Sequence, residues 1–285
     1  MPDAEERLLR MGERVILLDS KRRRYLVTLR DGGEFHSHAG FVTHADIGGR
    51  PEGTVVRSTK GAVYTVLRPT LEDVVVGMPR GAQVIYPKDL ATIGMLADIA
   101  PGHRVFESGV GSGALSMTLL RWGAHVTGYE LREDFARRAA TNVREFLGED
   151  VLDRYTIELR DSYEAIEPPA DAPAYDRVVL DLPEPWRVVP HAEGVLAPGG
   201  ILVAYTPSIT QAAQARDVLR GRWIDARTIE VLHRGWHIEG QAVRPDHRMV
   251  AHTAFLTVAR FLGRPPDVTS ATPPPIDGVF TSTAV

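Results

Sequence analysis

Glu107-Ser-Gly-Val-Gly-Ser-Gly113 is the stretch on which the fold of this chain turns. A short apolar run, Arg104-Val105-Phe106, leads into it, and a helix-like run from Ala114 to Trp122 follows. A second apolar run, Ala124 to Tyr129, ends on an acid, Glu130. Strand, glycine turn, helix, strand, acid is the layout of a nucleotide-binding βαβ unit. Glycines there allow a tight turn and a close approach of backbone to ligand. The acid stands where a ribose diol would arrive. The spacing therefore predicts an adenosine-containing cofactor.

Two cofactor classes compete for this turn. Gly109-Val-Gly111-Ser-Gly113-Ala114 fits the dinucleotide pattern G-x-G-x-x-G/A, which alone is weak support for a nicotinamide enzyme. Three details favour S-adenosylmethionine. Glu107 lies two residues before the first glycine, where a carboxylate orients an ammonium group and repels a pyrophosphate. Gly113 leaves the turn open for a methionine moiety. Finally, Asp181-Leu-Pro-Glu-Pro-Trp186 follows an apolar strand, Tyr175 to Leu180, and so belongs at the same carboxyl edge of the sheet, where open α/β folds bind ligands. The plainer alternatives are an ordinary strand–helix turn for the glycines and a helix cap for Asp181.

Composition narrows the classes. The chain has 285 residues, 44% hydrophobic, enough for one large core and a smaller domain. Its formal net charge is -4, so a nucleic-acid partner must meet a local positive patch. With no cysteine there is no disulfide framework, no cysteine-rich zinc site and no thiol nucleophile. Methyl transfer to pyrimidine C5 through a thiol adduct is excluded. The late histidines, His233, His237, His247 and His252, match no metal spacing, and no metal is expected. The chain shows no run of 18 apolar residues and no signal-peptide core, so a soluble cytoplasmic protein with no membrane contact is expected.

Residues 1 to about 75 read as a small all-β domain, a barrel or curled sheet. Arg14 to Asp19, Arg24 to Leu29, Gly33 to Ser37, Thr54 to Ser58 and Val63 to Leu67 are the candidate strands. Lys21-Arg22-Arg23-Arg24 is a cationic turn, either a solvated hairpin or a phosphate contact through Arg22 and Arg23. Residues 76–263 alternate strand and helix patterns, with a helix from Leu131 to Leu147 whose Phe135, Ala139, Val143 and Phe146 share one face. The last two strands, Ala226 to Leu232 and Val250 to Phe261, have no helix between them and so form an antiparallel pair. The expected fold is α/β: a seven-stranded doubly wound methyltransferase sheet with a small N-terminal β domain. Residues 264–285, rich in Pro, Thr and Ser, read as a flexible tail.

With these motifs in place, the chain resembles the tRNA adenine-58 N1-methyltransferase family in its actinobacterial or archaeal-like single-subunit form. The resemblance covers roughly residues 10 to 262. It rests on Arg80-Gly-Ala-Gln-Val-Ile-Tyr-Pro-Lys-Asp89, the glycine turn, Asp181-Leu-Pro-Glu-Pro-Trp186, and His247-Arg-Met-Val-Ala-His-Thr-Ala-Phe-Leu256. The glycine turn is common to many methyltransferases, and the linker motif with the Asp181 motif is far more restrictive. Glu107 departs mildly from relatives that often carry Asp there. The resemblance implies tRNA as partner, a homotetramer, and S-adenosylmethionine converted to S-adenosylhomocysteine.

Roles follow residue by residue. Glu107, Gly109, Gly111, Ser112, Gly113 and Ala114 are expected around the cofactor's amino-acid end, with Leu115 packing beside them and Gln83 offering its amide. Glu130 would accept the ribose hydroxyls, or else serve as an acid at a helix start. Asp161 would meet the adenine amine, with Ser162 beside it. Asp181 is the catalytic candidate: it would accept a hydrogen bond from the target amine and stabilise the charge that develops on the base. Tyr86, in the linker motif that the family places over the cofactor cleft, and Tyr205 are candidates for stacking on a flipped base. Trp186 would wall the pocket or anchor its loop. Arg234, Arg244 and Arg248 would contact phosphates. Three other readings stay open: another acceptor, a non-catalytic RNA-binding subunit, and an oxidoreductase. An N6-adenine enzyme would usually show D/N-P-P-Y/F/W, whereas here Leu182 intervenes.

Overall fold

The computed structural model describes residues 8–78, 81 and 83–263; Arg80 of the linker motif and the Pro-rich tail lie outside the described residues. The N-terminal part contains β1 (Arg14–Asp19), β2 (Arg24–Thr28), β3 (Glu34–Ser37), β4 (Gly40–Thr43), β5 (Val55–Arg57) and β6 (Val63–Leu67). Four of these form one antiparallel sheet in the order β2-β1-β6-β5, and β3 and β4 form a separate hairpin. The sheet is therefore open and not a closed barrel. In β6 the alternation of Val63-Tyr64-Thr65-Val66-Leu67 turns Tyr64 and Val66 inward. They join Leu9, Leu17, Leu29 and Ile47 in a small core of their own.

A helix that the apolar pattern did not reveal comes next, α1 (Leu71–Gly77). Its start is set by a capping box in which the Thr70 hydroxyl accepts from the Asp73 amide and the Asp73 carboxylate accepts from the Thr70 amide. The spacing Thr-x-x-Asp was the available signal. Asp73 also pairs with Arg24 of β2, so α1 is clipped to the N-terminal sheet.

The remaining elements are α2 (Pro87–Leu96), β7 (Arg104–Ser108), α3 (Ala114–Arg121), β8 (His125–Glu130), α4 (Glu133–Leu147), β9 (Tyr155–Leu159), β10 (Tyr175–Leu180), α5 (Val189–Val195), β11 (Leu196–Thr206), α6 (Ile209–Val218), β12 (Trp223–Glu230), β13 (Trp236–Glu239), β14 (Ala242–Pro245) and β15 (Phe255–Phe261). Seven strands make one sheet in the order β12-β15-β11-β10-β7-β8-β9. β7 to β11 pair in parallel, and β15 runs antiparallel between β11 and β12. One helix layer packs on each face. The cluster containing Leu115, Leu119 and Ile93 covers one side, and that containing Val189, Ala192 and Leu219 covers the other. Burial on both faces is why β10 and β11 read as near-continuous apolar runs.

Strand order reverses at β7, between β8 on one side and β10 on the other. That switch point opens a crevice at the carboxyl ends of these strands. β13 and β14 form a hairpin where the sequence had suggested only a long loop. Both of its faces are largely exposed, so it carries no one-sided apolar alternation to read.

Candidate active site

β7 delivers Glu107 and Ser108 to the crevice, and the glycine turn follows. Gly109 has φ 87°, and a Cβ there would lie 2.1 Å from the carbonyl oxygen of Asp181. Only glycine lets the two loops come this close. The Asp181 amide donates to the Ser108 carbonyl at 2.9 Å, which stitches the end of β10 to the end of β7. Two motifs far apart in sequence thus become one site.

Glu107 is fully buried. Its Oε2 accepts from the Ser116 hydroxyl at 2.7 Å, and Ser116 in turn accepts from the Tyr155 hydroxyl at 2.9 Å. Glu107 Oε1 and Ser112 Oγ are buried without a hydrogen-bond partner among the described residues. Both line one small cavity with Gly111, Leu115, Gln83 and Asp181. A buried polar atom left unpaired costs about 1–3 kcal/mol, so two in one cavity mark groups waiting for a ligand. Burial pushes the Glu107 carboxyl up to about 8, with the charges of Asp181 and Glu130 adding to the shift. Burial, then Glu130, pushes Asp181 up to about 7.

A second cavity shares Gly109 with the first and runs past Ser108, Glu130, Leu131, Asp161, Ser162 and Leu182. Glu130 Oε2 accepts from the Gly111 amide at 2.9 Å and Oε1 from the Arg132 amide at 3.0 Å. The carboxylate is thus aimed by backbone, and each oxygen keeps a lone pair for a further donor. Asp161 Oδ1 accepts from the Tyr163 amide at 2.8 Å. The Ser162 and Ser108 hydroxyls share a hydrogen bond of 2.7 Å, which closes the floor.

The crevice therefore gathers carboxylates around a glycine turn. A pyrophosphate would add like charge to Glu107, Glu130 and Asp181, whereas a sulfonium with an ammonium group relieves their repulsion. The unpaired Glu107 and Ser112 oxygens are acceptors, which suits an ammonium donor. The residues present fit S-adenosylmethionine and not a dinucleotide.

Comparison with known proteins follows the same line. The family model described as tRNA methyltransferase complex GCD14 subunit matches residues 61–244, and one described as TrmI-like N-terminal matches residues 8–56. The chain belongs to this tRNA methyltransferase family. It is 38% identical over 250 residues to tRNA (adenine(58)-N(1))-methyltransferase TrmI of Thermus thermophilus, covering 86% of this chain and 96% of that protein. A Thermotoga maritima structure described as an S-adenosylmethionine-dependent O-methyltransferase superposes with a TM-score of 0.84 at 31% identity, covering 91% of this chain and 96% of the other. The tRNA (m1A58) methyltransferase TrmI of Aquifex aeolicus superposes with a TM-score of 0.78 at 26% identity, covering 90% and 99%.

The other expected residues of this family member are placed unevenly. Tyr205 is buried in the apolar cluster that contains Leu115 and Ile93 and lines neither cavity, so its ring is not presented for stacking; the pairing of Leu180 with Ala204 sets Asp181 level with it. Burial, with Asp89 and Asp181 nearby, raises its hydroxyl pKa well above the usual value. Tyr86 is half-buried at the start of α2 and lines neither cavity. Trp186 sits half-buried on a 3-10 turn that follows the Asp181 loop, also outside both. Arg234, Arg244 and Arg248 are exposed on or beside the β13–β14 hairpin. The cationic turn is partly neutralised: Arg23 Nε donates to Asp19 at 2.7 Å and Arg24 pairs with Asp73, while Arg22 shows no ion pair among the described residues.

Sequence reasoning missed Ser116, Tyr155, Leu131, Tyr163 and Leu182. Leu131 had a signal, an apolar residue directly after the ribose acid, and it is 63% exposed at the cavity rim. Missed as well was a buried cluster under Tyr205. Lys88 Nζ bonds Asp89 Oδ1 at 2.9 Å, the Val231 carbonyl at 2.8 Å and the Thr253 hydroxyl at 2.6 Å. Among the described residues no group of three or more acidic, histidine or cysteine side chains is arranged to hold a metal.

Proposed function

We propose that this chain methylates N1 of adenine 58 in the T-loop of tRNA, with S-adenosylmethionine as methyl donor and S-adenosylhomocysteine as product. The observation that carries the reading is the meeting of Asp181 with the glycine turn at the junction of two cavities, in a chain of this family. When bound, the cofactor supplies an electrophilic methyl group on a sulfonium. Glu107 and Ser112 accept from its ammonium group, Glu130 from the ribose hydroxyls, and Asp161 with Ser162 engages the adenine edge. Gly111, Gly113, Ala114, Leu115 and Gln83 complete the wall.

Adenine N1 carries an in-plane lone pair and no proton, so the chain needs no base to activate it. Its work is orientation, worth about 7 kcal/mol or more when the reactants are well aligned. Asp181 accepts a hydrogen bond from the N6 amine of the target and offsets the positive charge that the ring acquires. Tyr86, half-buried at the start of α2, stacks on the flipped base, a contribution of about 1–3 kcal/mol, whereas Tyr205, buried in the core, supports the Asp181 edge from within. Pro183 and Pro185 limit the motion of the Asp181 loop. Trp186 anchors that loop. Arg22, Arg23, Arg234, Arg244 and Arg248 meet phosphates, Arg23 after release from Asp19. The enzyme acts in the cytoplasm, without a metal, as a homotetramer. No helix of the described residues is long and apolar enough to cross a membrane.

The test is incubation with labelled S-adenosylmethionine and unmodified tRNA, followed by nucleoside mass spectrometry and mapping. 1-Methyladenosine at position 58 is the expected product. Clear cofactor binding with no label in RNA would send the search to another acceptor.

A further inference from the structure

A further cavity, of about 620 Å3, lies at the seam between the N-terminal sheet and α4, outside the crevice just described. Arg14, Arg30, Arg137 and Arg138 line it, together with the carboxylates of Asp134 and Glu145. Its most informative member is Arg14, the first residue of β1. The side chain is only 7% exposed, its Nη2 donates to Asn142 Oδ1 at 3.3 Å, and it pairs with Glu145. Its Nη1 is buried with no acceptor among the described residues. A guanidinium presents its donors in a rigid fork, so an unused buried N–H in a cavity wall is a place prepared for an acceptor oxygen.

The surroundings say which kind of acceptor. Arg30 and Arg138 have no ion pair among the described residues, and Arg137 has only Glu133 at 3.8 Å. Asp134 is engaged by Arg132 at 3.5 Å and Glu145 by Arg14. Positive charge is left in excess, and the groups that carry it are planar forks suited to two oxygens of one anion. We propose that this seam is a docking site for a backbone phosphate of the RNA substrate. The proposal rests on the tRNA reading above and adds a contact that none of the sequence motifs marked. The site also sits two hydrogen bonds from the cofactor turn, because Asn142 Nδ2 donates to the Ser112 carbonyl at 3.0 Å.

The test is binding of unmodified tRNA at several salt concentrations, comparing the wild-type chain with the double variant Arg30→Ala/Arg138→Ala. These two residues are chosen because Arg14 is buried and its loss endangers folding. The expected result is a loss of affinity of about tenfold, and a log–log salt slope shallower by about 0.7–0.9, the share of one released phosphate contact. Affinity for S-adenosylhomocysteine without tRNA should stay within about twofold, and the oligomeric state should be unchanged. An unchanged tRNA affinity and slope, in a chain whose wild type binds and methylates tRNA, would overturn this proposal alone. So would a changed oligomeric state, which would make the seam a contact between copies. Protection of the wild type from thermal unfolding by inorganic phosphate, with tRNA binding intact in the variant, would assign the seam to a small free anion instead. A wild type that binds no tRNA would overturn the functional reading, and this one with it.

Discussion

At the residue scale, Asp181 and Glu107 share a cavity and do different work. Glu107 is locked by Ser116 and Tyr155 on one oxygen, which leaves Oε1 for the cofactor. Asp181 makes no side-chain hydrogen bond among the described residues and lies half-buried in the wall of the cavity it shares with Glu107. The substitution Asp181→Asn keeps the shape and removes the charge. Turnover is expected to fall about 10²–10³-fold, the size of effect seen when one group aimed at developing charge is lost. The dissociation constant for S-adenosylhomocysteine, measured by calorimetry, should move by no more than about threefold. Loss of cofactor binding with turnover per bound cofactor intact would remove Asp181 from the chemistry.

At the scale of elements, two loops and one helix are held by contacts that tolerate little change. The glycine turn and the Asp181 loop approach so closely that Gly109→Ala drives a methyl group against a backbone carbonyl, at a φ of 87° that L side chains rarely adopt. Left-handed strain alone costs about 1–3 kcal/mol. The variant should therefore lose both cofactor affinity and stability, read from calorimetry and urea melts. Helix α2 is held by the buried Lys88–Asp89 pair, which reaches Val231 after β12 and Thr253 before β15. Asp89→Ala leaves the lysine charge stranded and should destabilise by about 3–5 kcal/mol in a urea melt. Replacing Lys88 and Asp89 together by apolar residues should cost clearly less, because no lone charge remains buried. Equal costs would mean that the pair is not coupled.

At the scale of the whole molecule, the carboxylate-lined crevice makes stability and ligand binding depend on pH. Glu107 rises from 4.5 to about 8 and Asp181 from 3.8 to about 7. A raised folded-state value means that the folded chain holds protons which the unfolded chain releases. The associated stability is complete below about pH 4 and fades as pH rises through 7 and 8, by at most about 1.4 kcal/mol per pH unit and group. S-adenosylmethionine brings positive charge and favours the ionised forms, so binding near pH 6.5 should release protons. Calorimetry in buffers of different ionisation enthalpy reads this directly. Glu107→Gln should release fewer protons and flatten the fall of melting temperature between pH 6 and 8.5. Binding without proton release in the wild type would show that the carboxylates are already charged.

The sequence carried the local decisions. Glycine spacing, the acids at strand ends and the apolar runs are each written within a few residues, and they were enough to predict the βαβ unit, the seven-stranded sheet and the candidates Glu107, Glu130, Asp161 and Asp181. Backbone propensity and side-chain periodicity act over such short distances, so a linear reading captures them. What tertiary structure alone decided is which groups share a space. The contact of Gly109 with Asp181, the relay from Tyr155 through Ser116 to Glu107, the Lys88–Asp89–Thr253 cluster and the Arg14 seam all join residues far apart in the chain. Periodicity carries no record of such pairs. Partners were just as hidden in the Lys21–Arg24 turn, where Asp19 and Asp73 take two of the four cations that sequence alone left free. An ion pair is created by proximity in space, and proximity is a property of the folded chain.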